Sequence, residues 1–228
     1  MVNIKNIAIH HFGAPENNLS YKASVLQEAD INILHKNRWP DFPSKLSGSF
    51  IGYNFIIWPD GTLKQYRYIG EETAAQYGHN KDTISICLAG NFTKGAELPT
   101  FEQKMKLKQV ISALLDLSTI HNPLNFQLLM PFVLDLSKDR IKPHRFYQSN
   151  TACYGNALGD NWAEQLISQN MAQNNNENTV NELKEKLSLL QRLLALYQRM
   201  LELKSKLAIG FFGKKATTTA CLYENVRG

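Results

Sequence analysis

The sequence places histidine and cysteine in short segments that lie far apart along the chain. The apolar run Ile7–Ile9 leads into His10 and His11, whereas His144 and Cys153 lie in the second half of the chain. Two imidazoles and a thiolate are ligands that zinc prefers, and three protein ligands leave one position open for water. If these residues bind one ion, the fold must bring an N-terminal strand to a much later loop. That requirement is the strongest constraint on the architecture.

Each of these residues has a simpler interpretation when it is considered alone. A histidine at the end of a strand is more often a hydrogen-bonded structural residue than a metal ligand, and Cys87, inside an apolar run, is typical of a packed core. Cys153 follows His144 in a segment rich in Asn, Ser, Thr and Gly, which suits a ligand loop. The sequence lacks the Cys-x-x-Cys spacing of structural zinc sites. Alone, the histidine and cysteine are a weak zinc signature.

Strand and helix patterns alternate, which predicts an α/β domain with a mostly continuous central sheet. Helices are predicted over residues 20–36, with Ser20 as the N-cap, and from the capping box at Thr100–Gln103 to about His121. A Pro-Asp-Gly turn at residues 59–61 predicts a hairpin. Strands are predicted over Ile4–His11, Ile51–Trp58, Leu63–Tyr68 and Thr83–Leu88.

Composition changes after residue 168, and the chain is predicted to divide there. Residues 1–168 form the α/β domain, and the Asn-rich residues 169–181 form a linker without apolar periodicity. Residues 182–207 contain neither Pro nor Gly and repeat leucine at three- and four-residue steps. This pattern predicts an amphipathic C-terminal helix whose apolar face is wider than a coiled-coil seam. Residues 208–228 form a basic tail to which no element or role is assigned.

The distribution of charge and cysteine limits the function classes. The net charge of +5 arises within residues 182–228, so the α/β domain has no excess charge to attract nucleic acid. Three widely spaced cysteines do not form a disulfide framework. The sequence shows neither a signal peptide nor an apolar run of about 18 residues. We therefore expect a chain that is cytoplasmic at synthesis and reaches an outside substrate after release or by non-classical export.

Single motifs of this sequence could occur by chance, but the whole series in its order is a specific signal. The motifs are the Ile-x-Ile-His-His strand, His35-x-x-x-Trp39, Gly52-Tyr53-x-Phe55-x-Ile57-x-x-Asp60-Gly61, Asn80, Ser85-Ile86-Cys87-Leu88-x-Gly90-Asn91-Phe92, His144-Arg145 and Thr151-x-Cys153-x-Gly155. The series resembles the zinc amidases that include phage lysozyme-type N-acetylmuramoyl-L-alanine amidases and animal peptidoglycan recognition proteins. The resemblance extends over residues 4–167.

This resemblance implies a fold, a reaction and a site. It implies a central mixed β-sheet flanked by helices, and cleavage of the amide bond between N-acetylmuramic acid and L-alanine of the peptidoglycan stem peptide. It assigns zinc to His10, His144 and Cys153, and it assigns the substrate carbonyl to Tyr53 and Thr151. Zinc lowers the pKa of bound water to about 7 and polarises a carbonyl. Hydroxyl donors stabilise the oxyanion of the tetrahedral intermediate.

The substrate groove is predicted from aromatic and polar residues near these motifs. Because side chains alternate along a strand, His10 and His11 point to opposite faces. The family assigns the ligand role to His10, which leaves His11 beside the ligands or in the groove. Ordinary loop and core packing is the alternative interpretation of every groove candidate. The side chains predicted to contact sugar or peptide are His11, Trp39, Tyr66, Arg67, His79 and Asn80.

The sequence departs from the family pattern in three regions. Thr151 stands where many phage members have lysine, as it does in catalytic recognition proteins, so one positive charge near the oxyanion is missing. Ala74 and Ala75 occupy the region where a Gly-x-His is common, and Tyr154 replaces the Pro that often follows the cysteine. None of these changes removes a predicted zinc ligand.

Several functions are compatible with these motifs. The leading hypothesis is an endolysin-like amidase, with a bacterial muropeptide-recycling amidase as a variant. The alternative from another class is a non-catalytic peptidoglycan-recognition module, although such relatives typically lose the cysteine that this chain keeps at Cys153. In a third hypothesis the C-terminal helix is the active part and the domain is an anchor. The wide leucine face of residues 182–207 predicts self-association or contact with an anionic membrane.

Overall fold

The computed structural model describes residues 2–12, 21–117, 121–168, 187–201 and 204. The chain divides into two compact units, Met1–Gln169 and Asn170–Gly228. The strands of the first unit are β1 (Val2–Ile4), β2 (Asn6–His11), β3 (Phe55–Ile57), β4 (Leu63–Gln65), β5 (Thr83–Leu88), β6 (Phe132–Leu134) and β7 (Ile141–Pro143). Its helices are α1 (Glu28–Arg38), α2 (Phe101–Leu115), α3 (His144–Tyr147) and α4 (Trp162–Ser168), with a 3₁₀ turn at Lys138–Arg140.

A five-stranded mixed sheet forms the centre of the first unit, in the order β4-β3-β5-β2-β7. Strand β3 pairs antiparallel with β4 and parallel with β5, and β2 pairs parallel with both β5 and β7. The prediction of a central mixed sheet flanked by helices is therefore confirmed. The antiparallel pair is the hairpin predicted at residues 59–61, where Gly61 has a φ of 81° that glycine tolerates best. A separate parallel pair joins β1 to β6.

The two faces of this sheet carry different side chains because residues alternate along each strand. The α2 face is apolar: Ile9 of β2 and Leu107 of α2 are fully buried in one cluster. On the opposite face, here called the α1 face, Cys87 packs with Ile31 of α1. His10 is the register partner of Cys87 and therefore lies on the α1 face as well. This arrangement places the first predicted ligand on the α1 face.

Helix α2 forms where the capping box predicts it. The Thr100 hydroxyl accepts a hydrogen bond from the Gln103 N–H at 3.0 Å, and the Gln103 side chain accepts one from the Thr100 N–H at 3.1 Å. The Gln103 side chain also donates to the carbonyls of Ile57 and Ala89, which ties the start of the helix to the sheet. The helix ends at Leu115, earlier than the predicted boundary.

Helix α1 begins later than predicted. It starts at Glu28, because the Gln27 N–H donates to the Asp30 carboxylate at 2.9 Å and two acidic residues in the first turn complement the helix dipole. Its buried residues are Ile31 and His35. The predicted cap at Ser20 lies outside the described residues.

The second unit is described through a helix of residues 187–201. Its apolar side chains are about half exposed or more, and Leu196 is 65% exposed. The predicted linker at 169–181, the tail at 208–228 and both ends of the predicted helix, apart from residue 204, lie outside the described residues. In the part of the chain that the structure describes, no helix combines the length and apolar character needed to cross a membrane.

Candidate metal centre and substrate cavity

The structure brings the three sequence-predicted ligands together. One donor atom from each of His10, His144 and Cys153 lies within 4.8 Å of the others, and Cys153 Sγ is 3.6 Å from His10 Nδ1. Parallel pairing of β2 with β7 sets Ile9 beside Pro143, so the following histidines lie side by side with ring centroids 4.7 Å apart. The carboxyl ends of two adjacent parallel strands thus deliver the two imidazoles to one edge of the sheet.

A glutamine holds the outer nitrogen of each ligand histidine. His10 Nε2 lies 3.1 Å from Gln76 Oε1, and His144 Nε2 lies 2.6 Å from Gln148 Oε1. An amide oxygen only accepts hydrogen bonds, so each Nε2 carries the hydrogen and each Nδ1 keeps its lone pair for a metal. Gln76 Oε1 also accepts from the Ser85 hydroxyl at 2.9 Å, which fixes the amide orientation. Sequence reasoning missed both glutamines.

The protonation of the donor set fits a zinc ion. Burial, followed by the neighbouring His144, holds the pKa of His10 well below its ordinary value, and burial also lowers the pKa of His144. Both imidazoles are therefore neutral ligands near pH 7. Burial raises the pKa of the Cys153 thiol to about 12, although the His11 N–H, 3.4 Å from the sulfur, opposes that shift. A cation would replace the thiol proton, as metal binding to cysteine requires.

The donor set opens into a cavity of about 220 Å³, here called the central cavity. Tyr53 lines it, with its ring centroid 5.1 Å from that of His10 and 5.2 Å from that of His35. Thr151 lines it from the loop that carries Cys153, and its Oγ1 accepts the Cys153 N–H at 3.3 Å. That contact leaves the Thr151 hydroxyl hydrogen available to a ligand. Both predicted carbonyl-stabilising residues therefore border the same space as the three ligands.

The comparison with protein families matches residues 1–156 to the family described as N-acetylmuramoyl-L-alanine amidase. The chain belongs to this amidase family. The matched segment contains the whole donor set together with Tyr53 and Thr151, and it ends well before the C-terminal helix. Curated protein sequences give no match.

Several solved structures are similar to this chain at low sequence identity. The N-acetylmuramoyl-L-alanine amidase LysC from Clostridium intestinale URNW is 24% identical, with 68% of this chain and 79% of that chain covered at a TM-score of 0.44. Wild-type Drosophila PGRP-LB is 20% identical, with 74% and 82% covered at a TM-score of 0.45. Drosophila peptidoglycan recognition protein SD is 18% identical, with 75% and 83% covered at a TM-score of 0.46.

A second cavity of about 510 Å³ adjoins the central cavity of the amidase domain. Arg38, Trp39, Ala74, Ala75 and His144 line both cavities. Among the described residues that line the two cavities, Arg38 is the one permanent cation. Its guanidinium lies 4.9 Å from the centroid of the Trp39 ring. The sequence analysis did not select this arginine as a cavity residue. A basic side chain in the last turn of a helix is explained well enough by its favourable interaction with the helix dipole.

Three of the residues predicted to contact substrate can be compared with the residues that line the two cavities. Trp39 lines both cavities, as expected of a groove residue. Asn80 lines the second cavity, but its Oδ1 accepts the N–H groups of Ala75 and Gln76 at 3.1 and 2.8 Å, so it also shapes the turn that carries Gln76. His79 lines neither cavity, and its Nδ1 lies 3.5 Å from an Asp82 carboxylate oxygen.

The prediction that Arg67 and Tyr66 contact substrate is wrong, because both are 1% exposed and neither lines the two cavities. The Arg67 guanidinium donates to the Ile51 carbonyl at 2.8 Å and to the Phe42 carbonyl at 2.7 Å. It also pairs with the Glu71 carboxylate at 3.0 Å. A buried cation engaged in this way holds loops together and does not reach either cavity.

His11 occupies the opposite sheet face from His10, as alternation predicts. Its Nδ1 accepts the Phe92 N–H at 2.9 Å, and its ring stacks on the Phe92 ring at 5.8 Å. Burial, followed by the charge of Arg145, lowers the pKa of His11 to about 4. His11 also lines the central cavity, and its backbone N–H donates to Cys153 Sγ at 3.4 Å.

Proposed function

We propose that this amidase-family chain hydrolyses the amide bond between N-acetylmuramic acid and L-alanine, with one zinc ion held by His10, His144 and Cys153. The observation that carries the proposal is the meeting of these donors with Tyr53 and Thr151 around one cavity. When bound, zinc supplies a water of lowered pKa and a Lewis acid for the carbonyl. The substrates are peptidoglycan or its muropeptide fragments.

The side chains around the ion have separate roles in this proposal. Burial raises the pKa of Tyr53 well above its ordinary value, so its hydroxyl keeps its hydrogen and donates it to the carbonyl oxygen as negative charge develops. Thr151, which lines the same cavity, supplies a second hydroxyl donor. Gln76 and Gln148 keep the two imidazoles in the tautomer that ligates through Nδ1.

The retained thiol separates this proposal from a non-catalytic recognition module. A binding groove has no need of a thiol within 3.6 Å of an imidazole and beneath an open cavity. We also propose that the chain acts as an endolysin-like enzyme that meets the cell wall after release from its compartment of synthesis. The adjoining second cavity gives the substrate room to continue beyond the reacting bond.

The test uses purified full-length protein, with zinc content and peptidoglycan hydrolysis measured together. We expect about one zinc ion per chain, release of L-alanine amino termini from cell walls, loss of activity with a chelator and recovery with added zinc. Hydrolysis that survives complete zinc removal would refute the metal centre. Tight binding of peptidoglycan by zinc-loaded protein without new amino termini would favour the recognition module.

A further inference from the structure

The loop that carries Cys153 is held by one guanidinium. Arg145 Nη1 donates to the carbonyls of Ala152 and Gly155 at 3.4 and 2.9 Å, and its Nη2 donates to the Leu158 carbonyl at 2.7 Å. Three carbonyls on both sides of the cysteine thus converge on a single planar cation.

The backbone of the same arginine also reaches the ligand itself. The Arg145 N–H donates to the Cys153 carbonyl at 2.8 Å, and Arg145 directly follows the ligand His144 in sequence. Its Nε donates to the Asp160 carboxylate, and its guanidinium lies 5.1 Å from the Tyr154 ring centroid. The arginine therefore connects the segments of two ligands.

We propose that Arg145 is a positioning residue that sets the place of the Cys153 sulfur relative to the two imidazoles and thereby the affinity for zinc. This inference rests on the proposed metal centre. The guanidinium acts on the loop through its carbonyls and does not touch the ion or the substrate. Tyr154, which stands where a Pro is common, packs beneath it and donates its hydroxyl hydrogen to the Gly159 carbonyl at 2.7 Å.

The chemistry of the side chain explains why arginine is needed. A guanidinium presents five N–H donors in a fixed plane, so it can hold carbonyls of Ala152, Gly155 and Leu158 while also binding a carboxylate. A lysine keeps the charge and part of the aliphatic stem, but its three donors radiate from one atom. Arg145→Lys therefore removes the fork without removing the cation.

The test measures the zinc dissociation constant of full-length variants by competition with a chromophoric chelator. The melting temperature of the zinc-free protein is measured alongside. We expect Arg145→Lys to weaken zinc binding by about 10- to 100-fold, the range for partners that orient metal ligands. Asp160→Asn, which leaves the carbonyl contacts in place, should have a smaller effect. Arg140→Gln is the control, because Arg140 lies in the exposed 3₁₀ turn and pairs only loosely with Asp139 at 4.0 Å.

The outcomes separate this inference from the proposed function. If the wild-type chain binds zinc and Arg145→Lys binds it within about twofold of the wild type, the inference is overturned and the metal centre stands. A variant that melts earlier without zinc but binds zinc normally has lost only general stability, which also overturns it. A wild-type chain that binds no zinc overturns the metal centre and this inference with it. Arg145→Gln tests the complete loss of the cation. If Arg145→Gln does not fold, the zinc affinity of Arg145→Lys alone decides the inference.

Discussion

The two faces of the central sheet are built from the same strands, but one packs the apolar core and the other carries the candidate site. On the α2 face, Ile9 and Leu107 belong to a continuous apolar cluster. On the α1 face, His10 lies in a buried polar network with Gln76 and Ser85. Because neighbouring residues of one strand face opposite ways, β2 contributes both to the core and to the proposed metal centre. Substitutions on the α2 face should therefore change stability, and substitutions around the centre should change chemistry.

Loss of a ligand tests the chemical side of this contrast most severely. Cys153→Ser should lose zinc and lower turnover by about a thousandfold or more, since the ion contributes several kcal/mol to the barrier. The fold should persist, because serine has nearly the shape of cysteine and the residue, although buried, lies outside the strands and helices. The measurements are zinc content, circular dichroism and release of amino termini. Cys87→Ala is the matched control, because this thiol belongs to the core and the variant should keep its zinc. Wild-type turnover in Cys153→Ser would contradict the proposed site.

A cavity on the α2 face tests the structural side. Leu107→Ala removes a fully buried side chain and should lower the free energy of unfolding by about 2–5 kcal/mol. The turnover number of the molecules that remain folded should equal that of the wild type. Urea denaturation followed by fluorescence gives the first quantity, and hydrolysis at low temperature gives the second. A large fall in the turnover number of folded protein would show that the two faces are not independent.

Deletion of the Tyr53 hydroxyl should lower kcat by about a hundredfold, or about 2.7 kcal/mol, with a smaller change in KM. The reason is that the donor acts on charge that develops only during the reaction. Tyr66→Phe is the matched control, because that tyrosine is also buried in the cluster of the α1 face but lines neither cavity. Equal kinetics for Tyr53→Phe and the wild type would place the carbonyl-stabilising donor elsewhere.

The Thr151 hydroxyl should contribute less than that of Tyr53, since an aliphatic hydroxyl is a weaker hydrogen-bond donor than a phenol and Thr151 is only half-buried. Thr151→Ala should lower kcat by about tenfold, and Thr151→Ser, which keeps the hydroxyl, should stay near the wild type. Thr151→Lys introduces the residue common among phage members and tests whether the cavity accepts a positive charge beside Arg38. If Thr151→Ala and Thr151→Ser behave alike, the hydroxyl has no part in the reaction.

Removal of residues 170–228 should have the smallest effect on turnover, because every residue of the proposed centre lies in the first unit. It should change assembly, since the leucines of helix 187–201 are exposed and need an apolar partner. We expect light scattering to show an oligomer for the full chain and a monomer for the truncated one. A monomeric full chain that binds anionic vesicles would instead assign this helix to a membrane surface.

Local patterns predicted the parts of the fold that depend on local interactions. The strand at Thr83–Leu88 and the Thr100 cap of α2 are confirmed because alternation and capping are properties of neighbouring residues. The donor set came from the family resemblance. Gln76 was missed because it meets His10 across 66 residues of sequence. Arg67 was misassigned because nothing in the sequence around it reveals that its partners bury it.

Similar limits apply to the start of α1. The apolar spacing of residues 20–36 favours a longer helix, whereas the Asp30 carboxylate binds the Gln27 N–H and starts the helix at Glu28. The exposed Ile33 shows that apolar spacing alone did not identify the buried side of this helix. Contacts with the sheet decide which residues are buried, and these contacts join distant parts of the chain.

The pairing of β2 with β7 determines when during synthesis the centre can exist. His10 emerges first, whereas His144 and Cys153 emerge only when nearly all of the first unit has been translated. A nascent chain that ends before His144 holds one of the three proposed ligands, and one that ends before Cys153 holds at most two, which cannot retain zinc as three donors do. If the proposed centre is required for hydrolysis, the chain becomes competent only after β7 and the following loop with Cys153 have been synthesised. A ribosome-bound fragment that ends before β7 should be inert towards the cell wall.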